Sequence, residues 1–177
     1  MTFLKYWIAK FIYILTGRNM NYMIRFFRKS GMFIGQNCNI YSNIITSESY
    51  LITINDNVTI SNDVQLITHD NSICKVCSKY TDIFGEIIIG KNCFIGARVT
   101  ILPGISLADD IIVGSGSVVT KSFNEKGIII GGNPAKKIGT IEEYLDKNKG
   151  YGVNIEGMSY SEKKYMIDSN KSKLIKK

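Results

Sequence analysis

One histidine, two prolines and four cysteines in 177 residues exclude several classes of protein before any motif is sought. A lone imidazole cannot build a zinc site held by three histidines, so no catalytic metal is expected. The cysteines, Cys38, Cys74, Cys77 and Cys93, have no spacing that demands a disulfide framework. Cys74-Lys-Val-Cys77 has the spacing of a redox or metal pair, but no second pair stands near it to complete four ligands. Long apolar runs are missing too. The stretch Phe3 to Leu15 is apolar at helical spacing yet broken by Lys5 and Lys10, whereas a bilayer span needs about 20 apolar residues. No small-x-small cleavage site follows it, so no secretory leader is expected and the chain reads as cytoplasmic.

What the chain does have is a period. An aliphatic residue recurs at every sixth position, from Ile89 through Ile95, Ile101, Leu107 and Val113 to Val119. Four residues after the first five of these come Cys93, Val99, Ile105, Ile111 and Ser117, all small or β-branched. Immediately before each of those stands Asn92, Arg98, Gly104, Asp110 or Gly116, and every type but arginine takes the left-handed backbone conformation at low cost. The run predicts short strand, tight corner, short strand, corner: a solenoid whose coils bury their apolar faces by stacking on one another. The same period runs through Ile34 and Ile40, with Asn37 and Asn43 as corners, and through Ile54, Ile60 and Leu66, with Asn57 and Asp63. Cys38 and Cys93 fall on its small inward positions and read as core filler.

The period fails twice. Between Ile40 and Ile54 one hexad is stretched by two residues, which predicts a bulging corner around Thr46 to Tyr50. After Leu66 the pattern resumes only at Ile89, which predicts an extended loop over residues 67–86. Loops of that length inside compact domains are functional or disordered. This one opens with Thr68-His69-Asp70, so the only histidine stands at its mouth.

At the ends the pattern is helical. Residues 1–30 carry Trp7 and the basic Arg18, Arg25, Arg28 and Lys29 among apolar positions. Two readings stay open there: a helical cap over the open end of the solenoid, or an anchor on an anionic membrane surface at its inner face. The solenoid occupies 31–139. Over 140–177, Ile141, Tyr144 and Leu145 share a helical face expected to cap the finished solenoid. Tyr160 to Met166 reads as a short helix and Ser169 to Lys177 as a solvated basic tail. The net charge of +7 attracts anionic partners without naming them.

The segments GEIIIGKNCFIGARVTILPG, VGSGSVVTK and GGNPAKKIG resemble the signature of the galactoside, maltose and polysaccharide O-acetyltransferase branch of the hexapeptide-repeat acyltransferases. SESYLITINDNVTISNDVQLITHD is similar to capsular and lipopolysaccharide O-acetyltransferases. The resemblance covers approximately residues 34 to 145. It implies a mainly β fold, a left-handed parallel β-helix of about four coils with an N-terminal helical cap and a C-terminal helix. The left hand comes from the resemblance, because physical argument favours right-handed crossovers.

The resemblance further implies a homotrimer with each active site between neighbouring chains, acetyl-CoA as donor, a saccharide acceptor and no nucleic-acid partner. His69 would be the general base, with no covalent acyl-enzyme. Ala97 and Ser115 match positions whose backbone groups bind the pantetheine arm. Thr120 and Lys121 match its far end, and Lys136 the basic residue near the phosphates and adenine. Phe94 takes a place where relatives often carry tryptophan. Tyr41 and Asn43 fall near a segment that binds the acceptor, and Asp70 is placed with them. Glu48 matches the glutamate of a Ser-Glu-Pro-Tyr motif in which Ser49 here replaces proline.

Chemistry supports the base independently. A sugar hydroxyl has a pKa far above seven, and histidine is the side chain available near neutrality to take its proton, a contribution of about 10²–10⁴-fold. The thioester is already activated, so orientation and oxyanion stabilisation supply the remainder. A carboxylate should orient the imidazole, with Glu48, Asp63 and Asp70 as candidates. The alternatives are an N-acetyltransferase of an amino sugar and a non-catalytic β-helix scaffold.

Overall fold

In the computed structural model, residues 2–175 are described, with side chains from Leu4 onward. The side chain of Phe3 on the apolar helical face and the last two lysines of the basic tail lie outside the described residues.

Six-residue steps become three short strands per coil. The first coil contains Phe33–Ile34 (β1) and Asn39–Ile40 (β2). The second contains Ile52–Ile54 (β3), Thr59–Ile60 (β4) and Gln65–Leu66 (β5). Here the chain leaves the solenoid, making a ribbon of His69–Asp70 (β6) paired antiparallel with Ile83–Phe84 (β7). The third coil returns as Ile87–Ile89 (β8), Phe94–Ile95 (β9) and Thr100–Ile101 (β10). The fourth is Ser106–Leu107 (β11), Ile112–Val113 (β12) and Val118–Val119 (β13). Ile128–Gly131 (β14) begins a fifth, and Lys136–Thr140 (β15) folds back antiparallel on it.

The strands stack into three parallel sheets: β1-β3-β8-β11, then β2-β4-β9-β12-β14, then β5-β10-β13. Register is in phase throughout, Ile54 on Ile89, Ile60 on Ile95, Leu66 on Ile101. A one-residue slip would turn the aliphatic stacks outward, so burial itself holds the register. Ile54, Ile60, Ile89, Ile95 and Ile101 are fully buried in the shared core. Ile95→Val, which trims one methylene from the middle of such a stack, should lower stability by about 0.5–1.5 kcal/mol, read from the denaturant midpoint.

The corners obey the same logic. Asn37, Asn57, Asp63, Asn92, Asp110, Gly104 and Gly116 all have positive φ. Arg98 joins them at φ 58°, held by its amide donating to the Asn62 carbonyl at 2.9 Å. Along one edge Asn57, Asn92 and Asp110 form a side-chain ladder with 2.7 Å hydrogen bonds. Asn43 departs from the expectation, because it is not among the left-handed residues. The first coil has no strand in the third sheet; its turn is held instead by the buried Ser42 hydroxyl, which donates to the Ser61 carbonyl and accepts from the Val64 amide. Cys38 and Cys93 are buried and free. Their thiols donate to the Asn55 and Ala108 carbonyls of the next coil, and burial pushes Cys93 up to about 11, as befits an inert core residue.

Helices α1, Thr2–Leu15, and α2, Asn21–Lys29, precede the solenoid. α2 buries Met23, Ile24 and Phe27 and packs against β1 and β2. Its Arg28 donates to the carbonyls of Ile34 and Gly35 at 2.9 and 2.7 Å, satisfying acceptors that an open coil end leaves unpaired. α1 in turn lies on α2. Among the described residues no helix is long and apolar enough to cross a membrane.

The chain divides into two compact units, Met1–Ile141 and Glu142–Lys177. In the first, β15 covers the edge of β14 at the far end of the second sheet. Helices α3, Ile141–Asn148, and α4, Tyr160–Ser169, bury no side chain. Tyr144 and Leu145 of α3 are exposed. α4 is started by a capping box between Ser159 and Glu162.

Candidate active site

The two places where the period fails meet. At the stretched corner the Ser49 hydroxyl donates to the Thr46 carbonyl at 2.9 Å and the Leu51 amide to the Glu48 carbonyl at 2.9 Å. These bonds wind one 3-10 turn over Ser49–Leu51, so the serine that replaces proline closes the bulge with its own side chain. Glu48 Oε2 then lies 2.9 Å from His69 Nδ1, 2.9 Å from Thr68 Oγ1 and 3.2 Å from Thr46 Oγ1. The two threonine hydroxyls are 2.9 Å apart, and Thr68 is buried.

His69 reaches this point because β5 runs on past Leu66, with the Ile67 amide bonded to the Ile101 carbonyl. The β6–β7 ribbon returns Phe84 beside the imidazole, ring centroids 6.0 Å apart and tilted 45°. Glu48 feels two opposed influences. Partial burial pushes its pKa up, and hydrogen bonds from Thr68, His69 and Thr46 outweigh that and hold it below the ordinary glutamate value. An ionised carboxylate only accepts, so the hydrogen in this bond is the imidazole's Nδ1–H, and the neutral tautomer that fits the bond has its lone pair on Nε2. The His69 side chain is 45% exposed against 14% for Glu48: the imidazole is reachable and its partner sheltered.

Of the three candidate carboxylates, the geometry selects Glu48. Asp63 sits in a left-handed corner. Asp70 turns away to accept from the Ser72 amide at 2.7 Å, opening the turn Ser72–Lys75, and that bond lowers its pKa.

The residues matched to the donor lie elsewhere. Ala97 and Ser115 occupy the same corner on successive coils, where the Gly116 amide donates to the Ala97 carbonyl at 2.8 Å. The coil-to-coil ladder uses the amides of Gly96, Arg98, Gly114 and Gly116. Among the described residues those of Ala97 and Ser115 have no protein acceptor. Gly96 makes the close approach of these coils possible, since a Cβ there would lie 2.7 Å from the Ser115 nitrogen. Phe94 is exposed on the outer face of the second sheet between Thr59 and Ile112. Thr120 and Lys121 follow β13, with the Lys121 ammonium 5.6 Å above the Phe123 ring. Lys136 opens β15 and is exposed.

His69 and the Ala97–Ser115 corner therefore flank the third sheet from opposite sides. The strand segment between the corners spans about five residues, roughly 16 Å at the rise of an extended chain. Tyr41 lines a separate cavity of about 710 Å³ with Lys10, Tyr13, Arg18, Asn39 and Asn62 among its walls; Asn43 is exposed and does not line it. Sequence alone gave no site role to Thr46, Phe84, Lys10 or Arg18. Thr46 opens the bulge that the stretched hexad marks, nothing periodic marks Phe84, and the two cations are brought to the cavity by the packing of α1 on α2.

Residues 86–121 match the family model for the hexapeptide repeat of succinyl-transferase. Protein CapG of Staphylococcus aureus is 41% identical over 150 residues, 81% of this chain and 87% of that protein. Galactoside O-acetyltransferase of Escherichia coli (strain K12) is 32% identical over 123 residues, 69% of this chain and 59% of that one. A solved galactoside acetyltransferase in complex with coenzyme A is 31% identical with a TM-score of 0.57, over 71% of this chain and 61% of that one. The chain belongs to the hexapeptide-repeat acyltransferases, in the branch of the galactoside, maltose and polysaccharide O-acetyltransferases, and its three-sheet solenoid is their left-handed parallel β-helix. It spans about three-fifths of the galactoside enzymes' length.

Proposed function

We propose that the protein transfers an acetyl group from acetyl-CoA to a sugar hydroxyl of a bacterial surface polysaccharide or its precursor. The Glu48–His69 pair carries this reading: an imidazole held at Nδ1 by an ionised carboxylate, with its side chain 45% exposed. The acceptor O–H gives its proton to Nε2 as the oxygen attacks the thioester carbonyl carbon. The C–S bond then breaks and the imidazolium returns the proton to the departing sulfur. The hydroxyls that share Glu48 with His69, those of Thr46 and Thr68, are both engaged with the carboxylate, which favours direct transfer over an acyl-enzyme.

The open amides of Ala97 and Ser115 suit the amide carbonyls of the pantetheine arm, with Phe94 alongside. Thr120 and Lys121 receive its far end, and the exposed Lys136 suits the phosphates. Because base and donor groove flank one face from opposite sides, a neighbouring chain completes each site, and the assembly is read as a homotrimer. The cavity beside Tyr41 has the size of a ligand site, and Lys10 and Arg18 suit the phosphate of a nucleotide-linked or lipid-linked sugar.

Two measurements test this. Acetyl-CoA at about 100 times its Kd should stabilise the fold by about 2.7 kcal/mol and raise Tm by roughly 5–10 °C; no rise would favour the scaffold reading. Co-expressed His69→Ala and Ser115→Trp chains, each inactive alone, should recover about a quarter of wild-type activity, since random trimers restore one interface in four. No recovery would place both functions on one chain.

A further inference from the structure

Helix α1 has two apolar faces, and among the described residues one is covered and the other largely exposed. Tyr6 and Tyr13 are buried toward α2, the Tyr6 ring edge-on to Phe26 with centroids 5.7 Å apart. On the opposite side Leu4, Trp7, Ile8, Phe11, Ile14 and Leu15 are between 52% and 68% exposed. At 3.6 residues per turn these six form one stripe about 120° wide. Lys5 and Lys10 lie roughly 60° and 40° beyond its two edges, where long cationic stems reach past an apolar face to charge on either side.

The charge around the stripe has one sign. No acidic residue precedes Glu48, while Lys5, Lys10, Arg18, Arg25, Arg28 and Lys29 all do. They account for nearly all of the chain's net charge of +7. Arg28 is committed to carbonyls of the first coil, and the other cations remain on the helical pair. A second copy pairing stripe to stripe about a two-fold axis would bring like charges together. An anionic lipid surface meets both features: apolar depth for the stripe and phosphates for its borders.

We propose that α1 lies flat in the interface of an anionic membrane, with Leu4, Ile8, Phe11 and Leu15 in the acyl boundary, Trp7 at headgroup level and Lys5 on phosphates at its edge, while Lys10 stays over the Tyr13 ring at the cavity. The docking stands independently of the acetyl-transfer reading. One consequence rests on that reading: the cavity shares Lys10 and Ile14 with this helix, so docking sets the acceptor cavity at the surface where a lipid-linked sugar is presented.

Trp7 is the only tryptophan, which makes the intact protein its own probe. Flotation with phosphatidylcholine vesicles, with and without phosphatidylglycerol, should show binding to the anionic vesicles, weakened by salt, with Trp7 emission moving to shorter wavelength. Lys5→Gln should weaken binding about fivefold. Phe11→Asp should abolish it while leaving the melting curve unchanged, since Phe11 is 61% exposed. No binding to phosphatidylglycerol vesicles, or equal binding to both compositions, overturns the proposal. So does a Phe11→Asp variant that still binds vesicles but changes its oligomeric state in sedimentation, because the stripe would then be a subunit contact.

Discussion

His69→Ala should lower kcat by about 10²–10⁴-fold while the Kd for acetyl-CoA, measured by calorimetry, stays within about twofold. The reason is where the imidazole stands. It is paired with Glu48 and Phe84 at the end of the third sheet, away from the corner whose free amides are assigned to the donor. On the proposed mechanism, removing it takes away the proton acceptor and little of the donor contact, and a loss confined to kcat is the signature of a group that acts in the transition state. The chain has no second histidine to substitute for it. A His69→Ala variant that kept wild-type kcat would end the general-base assignment. A large loss of acetyl-CoA affinity would place His69 in the donor groove.

Glu48→Gln should cost on the order of 10²-fold in kcat, with a smaller effect on the fold. Glutamine presents an amide N–H as readily as a carbonyl, so it can hold the imidazole with Nε2 protonated, the tautomer that cannot accept a proton. Acid behaviour supplies a second readout. Glu48 is held below its ordinary value in the folded protein, so its hydrogen bonds contribute stability that is full above the unfolded pKa and is lost as pH falls through the folded one. The stability difference between wild type and Glu48→Gln should therefore narrow on acidification through the carboxylate range. Denaturant midpoints measured across that range check it, and a constant difference would mean that Glu48 is not ionised against His69.

Much of the fold was legible because a hexapeptide solenoid is written locally. Each inward aliphatic residue and each left-handed corner is decided within six residues, and stacking repeats the decision. The exceptions are informative. Arg98 turns left-handed against its preference because the ladder bond to Asn62 over-determines the corner. Asn43 does not, because the Ser42 hydroxyl holds its turn first. At the end of the solenoid β15 pairs with β14 and completes the second sheet, a pairing that no six-residue step announces.

The candidate site divides in the same way. From its sequence by itself the chain determined the coils, the corners, the stretched hexad and the histidine at the mouth of the long excursion, because these depend on order along the chain. Which carboxylate holds that histidine was decided only by the tertiary structure. Glu48 and His69 stand at opposite ends of one coil, and neither period nor spacing relates them. They meet because the third-sheet edge stacks the bulge of the first turn beneath the break after the second, where Thr46 and Thr68 pin the carboxylate in place. The two faces of α1 follow the same rule: helical spacing announced an apolar helix, and packing on α2 chose which face was left bare.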